Sequence, residues 1–164
     1  MIFKFLSKNF YISLSIVVLI YFLDRLSKIY IVQLDKKNFG QDIFNSAYLN
    51  IVLIWNKGIA FGLLSFNESY LYNIISLIIA IIIIVLVIMS LKSQGFKRYS
   101  LLMIVGGALG NLHDRIFFNA VLDFIDFHVG NFHWFIFNVS DIFITLGVIS
   151  MIVLELFDTK NEKI

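Results

Sequence analysis

Five aspartates lie inside or directly beside apolar stretches of this sequence, where a charged side chain is costly. They are Asp24, Asp114, Asp123, Asp126 and Asp141. An ionisable group at bilayer depth costs several kcal/mol unless it is paired, so each is a candidate functional residue. Two such carboxylates that share one water molecule can hydrolyse a peptide bond, because one takes a proton from the water while the other, protonated, polarises the scissile carbonyl. The residues alone leave open which two of the five form that pair.

Structural roles compete with this chemistry at three of the five positions. Asp24 and Lys28 are four residues apart, a spacing that favours an ion pair along one helix. Asp114 is followed directly by Arg115, where a local ion pair can form. Asp141 stands just before an apolar run, where an aspartate caps a helix N-terminus. The sequence therefore supports both interpretations at these positions.

Glycines and histidines add weaker signals. Gly106 and Gly110 are one helical turn apart, which favours close packing of membrane helices. The segment 56–62 (Asn-Lys-Gly-Ile-Ala-Phe-Gly) is a loop whose glycines allow tight turns or close approach to a ligand. The three histidines, His113, His128 and His133, lack the spacing of a metal site. The chain also has no cysteine. We therefore expect no metal and no cofactor.

The composition indicates a membrane protein. Of the 164 residues, 60% are hydrophobic and 15% are charged, and the mean hydropathy is +0.90. Soluble domains run near ~45–50% and ~25%, respectively. A soluble domain of this size could not hide so much apolar surface from water. The net charge is +2 and the basic residues are scattered, so the electrostatic footprint expected for nucleic-acid binding is missing.

Four apolar stretches are long enough, or nearly so, to cross the ~30 Å hydrocarbon core of a bilayer. They predict transmembrane helices at about 10–31, 70–91, 99–116 and 140–157, within one domain that covers 1–164. Because successive spans alternate in direction, the ends of the first and third lie at the same membrane face as the starts of the second and fourth. The polar residues near those four ends converge there, which predicts a site at one face of the membrane.

Two segments, 32–69 and 117–139, connect the spans at the face of the predicted site. Within the first, 48–55 has the residue types of a β-strand, so we expect a small strand pair or a lid there. Within the second, 118–137 is rich in aromatic residues, which favour the membrane interface. The expected fold is an all-α membrane protein with four transmembrane helices, a small extracytoplasmic β-rich element and an interfacial aromatic segment.

Basic residues set the expected orientation. Those at the face opposite the predicted site are Lys4, Lys8, Lys92, Lys97, Arg98, Lys160 and Lys163. By the positive-inside rule this face is cytoplasmic, although Lys36, Lys37 and Lys57 lie on the other side. We therefore expect both termini in the cytoplasm and the site at the extracytoplasmic face.

Five segments of the chain together resemble one family, the lipoprotein signal peptidases of bacteria, also called signal peptidase II. In family order they are 24–28 (Asp-Arg-Leu-Ser-Lys), 56–62, 106–115 (Gly-Gly-Ala-Leu-Gly-Asn-Leu-His-Asp-Arg), 121–124 (Val-Leu-Asp-Phe) and 137–141 (Phe-Asn-Val-Ser-Asp). No single segment is decisive, but five in this order are highly specific. The resemblance covers most of the chain.

The resemblance implies an aspartic endopeptidase of the bacterial cytoplasmic (inner) membrane. Members remove the signal peptide from diacylglyceryl-modified prolipoproteins and cut just before the lipidated cysteine. The family pattern assigns the catalytic pair to Asp123 and Asp141, a choice that the residues alone did not make. The implied partners are the prolipoprotein substrates and membrane lipid, and we expect a monomer that binds no nucleic acid, metal or cofactor.

The family pattern also implies two groups of helper residues. Those that bind the substrate or orient the dyad are Asn56, Gly58, Asn111, Arg115 and Asn138. Those that support the site are Asp24, Lys28, Asp114, Gly106 and Gly110.

Three positions beside the site depart from the family pattern: Asn119, Ile136 and Ser140 stand where members often have Gly, Pro and Ala. Asn119 tolerates a left-handed backbone, so we expect the turn there to survive. Ser140 adds a hydroxyl group beside a catalytic acid.

A small proton-coupled transporter is the alternative function, since intramembrane carboxylates also relay protons. A transporter should hold such acids near the bilayer midplane, whereas here they collect at one end.

Overall fold

The computed structural model describes residues 8–58 and 69–161 of the chain. In these ranges it contains α1 (Lys8–Lys37), β1 (Phe44–Asn45), β2 (Leu49–Asn56), α2 (Ser69–Lys92), α3 (Gly95–Phe118), β3 (Val121–Val129), β4 (Phe132–Phe137) and α4 (Val139–Asn161). Positions 59–62 of the predicted loop, Lys4, Lys163 and the side chains of Lys8 and Lys160 lie outside the described residues.

Four helical segments in the described ranges are long and apolar enough to cross a bilayer. They are Asn9–Lys37, Tyr72–Lys92, Gly95–Phe118 and Val139–Phe157. Large apolar side chains on their outer faces are exposed, as expected where lipid replaces water. The predicted fold class, four membrane helices with a small β-rich element, is confirmed. Each helix extends one to six residues beyond the predicted spans at both ends.

Helix α3 is central in the bundle, because it packs against each of the other three helices. Glycines make this close approach possible. A methyl group added at Gly106 would lie 2.9 Å from Cβ of Ile20 on α1, and one added at Gly107 would lie 2.5 Å from the carbonyl oxygen of Ser140 on α4. Both distances are too short for a real side chain, so the small residues set the spacing of α1, α3 and α4.

The four strands form one antiparallel sheet in the order β1-β2-β3-β4. The central pairing joins β2 to β3, with Asn56 opposite Val121 and Ile54 opposite Asp123. The sequence predicted the two connecting segments as separate elements, and the structure joins them in one sheet. Leu122 and Phe124 of β3 pack against Ile31 of α1, which ties the sheet to the bundle.

Two short connections join the β3–β4 hairpin to the helix ends. Asn119 ends α3 in the left-handed conformation, with φ 52° and ψ 25°, so the asparagine supports the turn as expected. At the same end of the β3–β4 hairpin, Asn138 separates β4 from α4. The last turn of α3, the start of β3 and the first turn of α4 therefore meet at one end of the bundle.

Candidate active site

The five aspartates named from the sequence fall into three groups with different partners. Asp24 and Asp114 pair with cations on α1. Asp126 pairs with a histidine on the sheet. Asp123 and Asp141 form no ion pair within the described residues, and neutral groups donate the hydrogen bonds that they accept there.

The first group is an ion cluster made of Asp24, Arg25, Lys28 and Asp114. Arg25 donates to Oδ2 of Asp24 at 2.7 Å and to Oδ1 of Asp114 at 2.6 Å. Lys28 Nζ lies 3.0 Å from Oδ1 of Asp24 and 2.7 Å from Oδ2 of Asp114. The expected pair between Asp24 and Lys28 thus exists, but as one side of a square in which two buried anions balance two cations. Such a balance offsets part of the cost of burying these charges.

Asp126 forms its contacts with side chains of the sheet. It is buried, and its carboxylate lies 2.9 Å from Nδ1 of His133 and accepts a hydrogen bond from Nδ2 of Asn50 at 3.2 Å. The ring of His133 stacks on His128 with centroids 5.0 Å apart. This group lies on β2, β3 and β4, and its partners do not overlap with those of Asp123 and Asp141.

Asp123 lies on β3 with only 4% of its surface exposed. Its Oδ2 accepts a hydrogen bond from Nδ2 of Asn56 at 3.0 Å, and its Oδ1 accepts one from Nδ2 of Asn138 at 2.6 Å. Asp141 lies in the first turn of α4. Its Oδ1 accepts a hydrogen bond from Nδ2 of Asn111 at 2.8 Å, and its Oδ2 accepts one from the backbone N–H of Asn138 at 3.1 Å. Asn138 therefore contacts both carboxylates.

Asn138 also caps α4. Its Oδ1 accepts the backbone N–H of Asp141 at 3.1 Å, while the Asp141 carboxylate accepts the backbone N–H of Asn138. This reciprocal arrangement is a capping box, which satisfies two otherwise free donors of the helix start. The capping role that the sequence allowed for Asp141 is thus present. It leaves the other carboxylate oxygen directed to Asn111, so capping and a chemical role are compatible.

A cavity of about 250 Å³ joins the two carboxylates. Its lining includes Asp123, Asp141, Asn111 and Arg115, together with apolar side chains from α2, α3, β4 and α4. Polar groups that converge in an otherwise apolar cavity are the usual form of a binding or catalytic site. The space is large enough to hold water molecules beside the carboxylates.

Arg115 contributes a buried cation to this cavity. Its Nη2 donates to the carbonyl oxygen of Gly58 at 2.9 Å, and its guanidinium lies 5.3 Å from the ring centroid of Tyr72, within cation–π range. Its Nε and Nη1 have no hydrogen-bond partner among the residues that the structure describes. The pair that the sequence allowed with neighbouring Asp114 is not formed, because Asp114 binds Arg25 and Lys28 instead.

The site raises the proton affinity of Asp123. Burial raises the pKa of its carboxyl from the ordinary value of 3.8 to about 6, and repulsion by the Asp141 carboxylate adds to the rise. The hydrogen bonds from Asn56 and Asn138 and the charge of Lys28 oppose this change. At pH 7 a carboxyl group with a pKa of about 6 carries a proton in roughly a tenth of the molecules, compared with fewer than about one in a thousand at the ordinary value.

Sequence reasoning did not identify Arg25, which binds both carboxylates of the ion cluster. Its position next to Asp24 gives no sign of a contact with Asp114, 89 residues away.

Ser140, a departure from the family pattern, is fully buried, and its hydroxyl has no hydrogen-bond partner within the described part of the chain. The hydroxyl therefore makes no direct contact with the Asp141 carboxylate there. Within the same part, histidine, aspartate and glutamate side chains form no cluster of three suited to a metal ion.

Comparisons with a family model, with sequence relatives and with solved structures give consistent results. A family model described as signal peptidase (SPase) II matches residues 16–157. A lipoprotein signal peptidase of Pelagibacter ubique (strain HTCC1062) is 50% identical over 159 residues, which cover 95% of this chain and 96% of that protein. One from Anaplasma phagocytophilum (strain HZ) is 42% identical over 137 residues, which cover 82% and 85%. Two solved structures, each described as a bacterial membrane enzyme, are similar with TM-scores of 0.73 and 0.71. Their identities are 34% and 33%, and the matches cover 91% and 88% of this chain and 90% and 92% of those.

Proposed function

The chain belongs to the signal peptidase II family, and we propose that Asp123 and Asp141 are the dyad with which it cleaves diacylglyceryl-modified prolipoproteins. Family membership makes the chain a membrane peptidase, and a proton-coupled transporter is not favoured. The observation that carries the proposed dyad is its environment. Of the five candidate acids, these two share a cavity and are held by amide donors rather than by cations.

The reaction that we propose uses one proton shared by two carboxyl groups. Asp141, ionised, takes a proton from a water molecule, whose oxygen attacks the scissile carbonyl carbon. Asp123, protonated, transfers its proton to the carbonyl oxygen, which gives a neutral tetrahedral diol. When the C–N bond breaks, the proton on Asp141 moves to the leaving nitrogen, and a diol hydroxyl returns a proton to Asp123. The raised pKa of Asp123 supports its role as the protonated partner.

The neighbouring side chains have distinct roles in this proposal. Asn56 and Asn138 orient Asp123, while Asn111 orients Asp141. Arg115 binds the substrate backbone, because its Nε and Nη1 are without partners in the described part of the chain and the residue lines the cavity. The carbonyl of Gly58 fixes the guanidinium for this task.

We place the protein in the bacterial cytoplasmic membrane, as a single domain with both termini inside. Lys92, Lys97 and Arg98 lie at the bundle end opposite the dyad, which by the positive-inside rule supports a cytoplasmic position for that end. The sheet and the dyad then face the extracytoplasmic side, where water reaches the carboxylates and a lipid-anchored substrate can enter sideways from the bilayer. The chain acts as a monomer on its prolipoprotein substrates, without metal or cofactor.

Separate Asp123→Asn and Asp141→Asn variants test the dyad. We expect each to lower turnover of a diacylglyceryl prolipoprotein peptide by about 10⁴-fold or more, the scale seen when one member of a catalytic unit is lost. Asp126→Asn is the matched control, since it changes a buried aspartate on the same strand that lies outside the proposed dyad, and it should retain activity. Near-normal turnover by either dyad variant, with correct membrane insertion, removes that residue from the dyad.

The substrate class needs its own comparison. The purified wild-type chain should cleave the lipidated precursor and leave the same precursor without its diacylglyceryl group intact. Equal cleavage of both forms would contradict the proposed substrate and leave the dyad untouched.

A further inference from the structure

The ion cluster contacts the backbone directly beside one proposed dyad residue. Oδ2 of Asp114 accepts the backbone N–H of Leu122 at 3.3 Å, and both residues are buried. Leu122 precedes Asp123 on β3. The carboxylate of Asp114, which belongs to α3, therefore fixes the strand one peptide away from the Asp123 side chain.

The same cluster contacts the backbone beside the second dyad residue. Oδ1 of Asp24 accepts the backbone N–H of Ser140 at 3.1 Å, and neither residue is exposed to any measurable extent. Ser140 precedes Asp141 in the first turn of α4, where a helix leaves its N–H groups without partners inside the helix. A carboxylate at this point also interacts favourably with the helix dipole.

The two contacts are joined by the cations of the cluster. Arg25 and Lys28 each bind both Asp24 and Asp114, with all four distances between 2.6 and 3.0 Å. Lys28 Nζ also donates to Oδ1 of Asn111 at 3.0 Å, which directs Nδ2 of that amide to the Asp141 carboxylate. A continuous chain of charge-assisted hydrogen bonds thus runs from the peptide before Asp123 to the peptide before Asp141.

We propose that this ion cluster sets the distance between the two dyad carboxylates, with Asp24 and Asp114 as positioning residues. The inference rests on the proposed function, since it needs Asp123 and Asp141 to act together. Three separate elements, β3, α3 and α4, meet at the site, and their packing alone has to be exact to a fraction of an ångström for two carboxyls to share one water. Hydrogen bonds between ionised groups are short and directional, which suits them to this task.

The alternative is that the cluster only holds α1 against α3. In that case its loss lowers stability and leaves turnover by the folded fraction unchanged. If the cluster positions the dyad, turnover falls while substrate binding stays, because Asp24 and Asp114 do not line the cavity between the carboxylates. The division between kcat and KM therefore separates the two roles.

The test uses Asp114→Ala and Asp24→Ala with their conservative counterparts, Asp114→Asn and Asp24→Asn, in the full-length, membrane-inserted protein. We expect each alanine variant to lower kcat about 100-fold, the scale of a misplacement of about 1 Å, with KM within about threefold of wild type. Each asparagine variant keeps a side-chain oxygen for the backbone N–H, so we expect it to recover at least about tenfold of that loss. Should an alanine variant not fold, the matching asparagine variant decides the test, since a kcat more than about tenfold below wild type then contradicts the proposal.

Asp126→Ala is the matched control, because it removes a buried carboxylate on β3, with its contacts to His133 and Asn50, without touching the backbone beside either dyad residue. Its kcat should stay within about threefold of wild type. Wild-type kcat in folded Asp114→Ala and Asp24→Ala, or an equal loss in Asp126→Ala, overturns the positioning role. Neither result affects the proposed dyad, which fails only if Asp123→Asn or Asp141→Asn remains active.

Discussion

Two pairs of aspartates lie next to each other in this bundle, and their surroundings are opposite. Asp24 and Asp114 bind Arg25 and Lys28, so their charge is neutralised by cations. Asp123 and Asp141 accept hydrogen bonds from neutral amides and face a cavity. The residue type is the same in both pairs, so the difference in partners decides what each pair can do.

The comparison explains which pair is suited to chemistry. A carboxylate bound to a buried cation cannot accept a proton without leaving that cation unpaired, which is costly in an apolar interior. A carboxylate held by amides keeps its position when it gains or loses a proton, because the amide donors carry no net charge. Burial and the nearby Asp141 carboxylate raise the pKa of Asp123, and the hydrogen bonds from the amides oppose this rise only in part.

The largest effect on stability is expected from a substitution that breaks the ion cluster. Arg25→Gln removes one of its two cations and leaves Asp24 and Asp114 to share Lys28, so we expect a loss of about 3–5 kcal/mol in the free energy of unfolding, typical of a broken buried ion pair. Thermal unfolding in detergent measures it. The control is Lys97→Gln, which removes an exposed ion pair with Glu155 (3.9 Å) and should cost about 1 kcal/mol or less. Equal losses of stability in the two variants would contradict the stabilising role of the buried ion cluster.

A substitution in the dyad is expected to raise the free energy of unfolding rather than lower it. The pKa of Asp123 rises from 3.8 to about 6 on folding, so its burial costs nothing below pH 3.8, costs more as the pH rises to about 6, and reaches a constant penalty above that pH. Asp123→Asn should therefore stabilise the fold at pH 8, by at most ~3 kcal/mol.

The control for this prediction is the pH dependence itself. The gain in unfolding temperature from Asp123→Asn should shrink as the pH falls from 8 and disappear near pH 4. A gain that is the same at pH 8 and pH 4, or a loss at pH 8, would show that ionisation of Asp123 carries no penalty in the folded protein.

A smaller effect separates the two roles of Asn138, which caps α4 and donates to Asp123. Asn138→Ser keeps an N-cap oxygen but is too short to donate to Asp123, which becomes ionised when it gives up its proton. We therefore expect kcat to fall about 10- to 100-fold, the value of one hydrogen bond to a charged group. Asn138→Ala should lower kcat equally and in addition cost about 1 kcal/mol of stability from the lost cap. Equal activity of Asn138→Ser and wild type would remove this hydrogen bond from the mechanism.

The main features of the fold could be predicted from the sequence because they depend on local properties. Hydropathy over about 20 residues identifies membrane spans, since each residue contributes separately to transfer into lipid. The alternation of the spans then placed the acids at one end. The resemblance to a family, carried by five segments in order, selected Asp123 and Asp141. The left-handed turn at Asn119 also followed from a local preference.

Only the tertiary structure decided how the acids divide into pairs. The contacts that do so join Arg25 to Asp114 across 89 residues, Asn56 to Asp123 across 67, and Asp24 to the Ser140 backbone across 116. No local spacing encodes such contacts, because they form only when packed helices and a sheet bring distant chain segments together. The same reason explains why the pairing of β2 with β3 was not predicted, since the sequence indicated a strand only at 48–55 and an interfacial aromatic segment at 118–137. Local sequence thus determined where the chain meets lipid, and packing determined which charges meet each other.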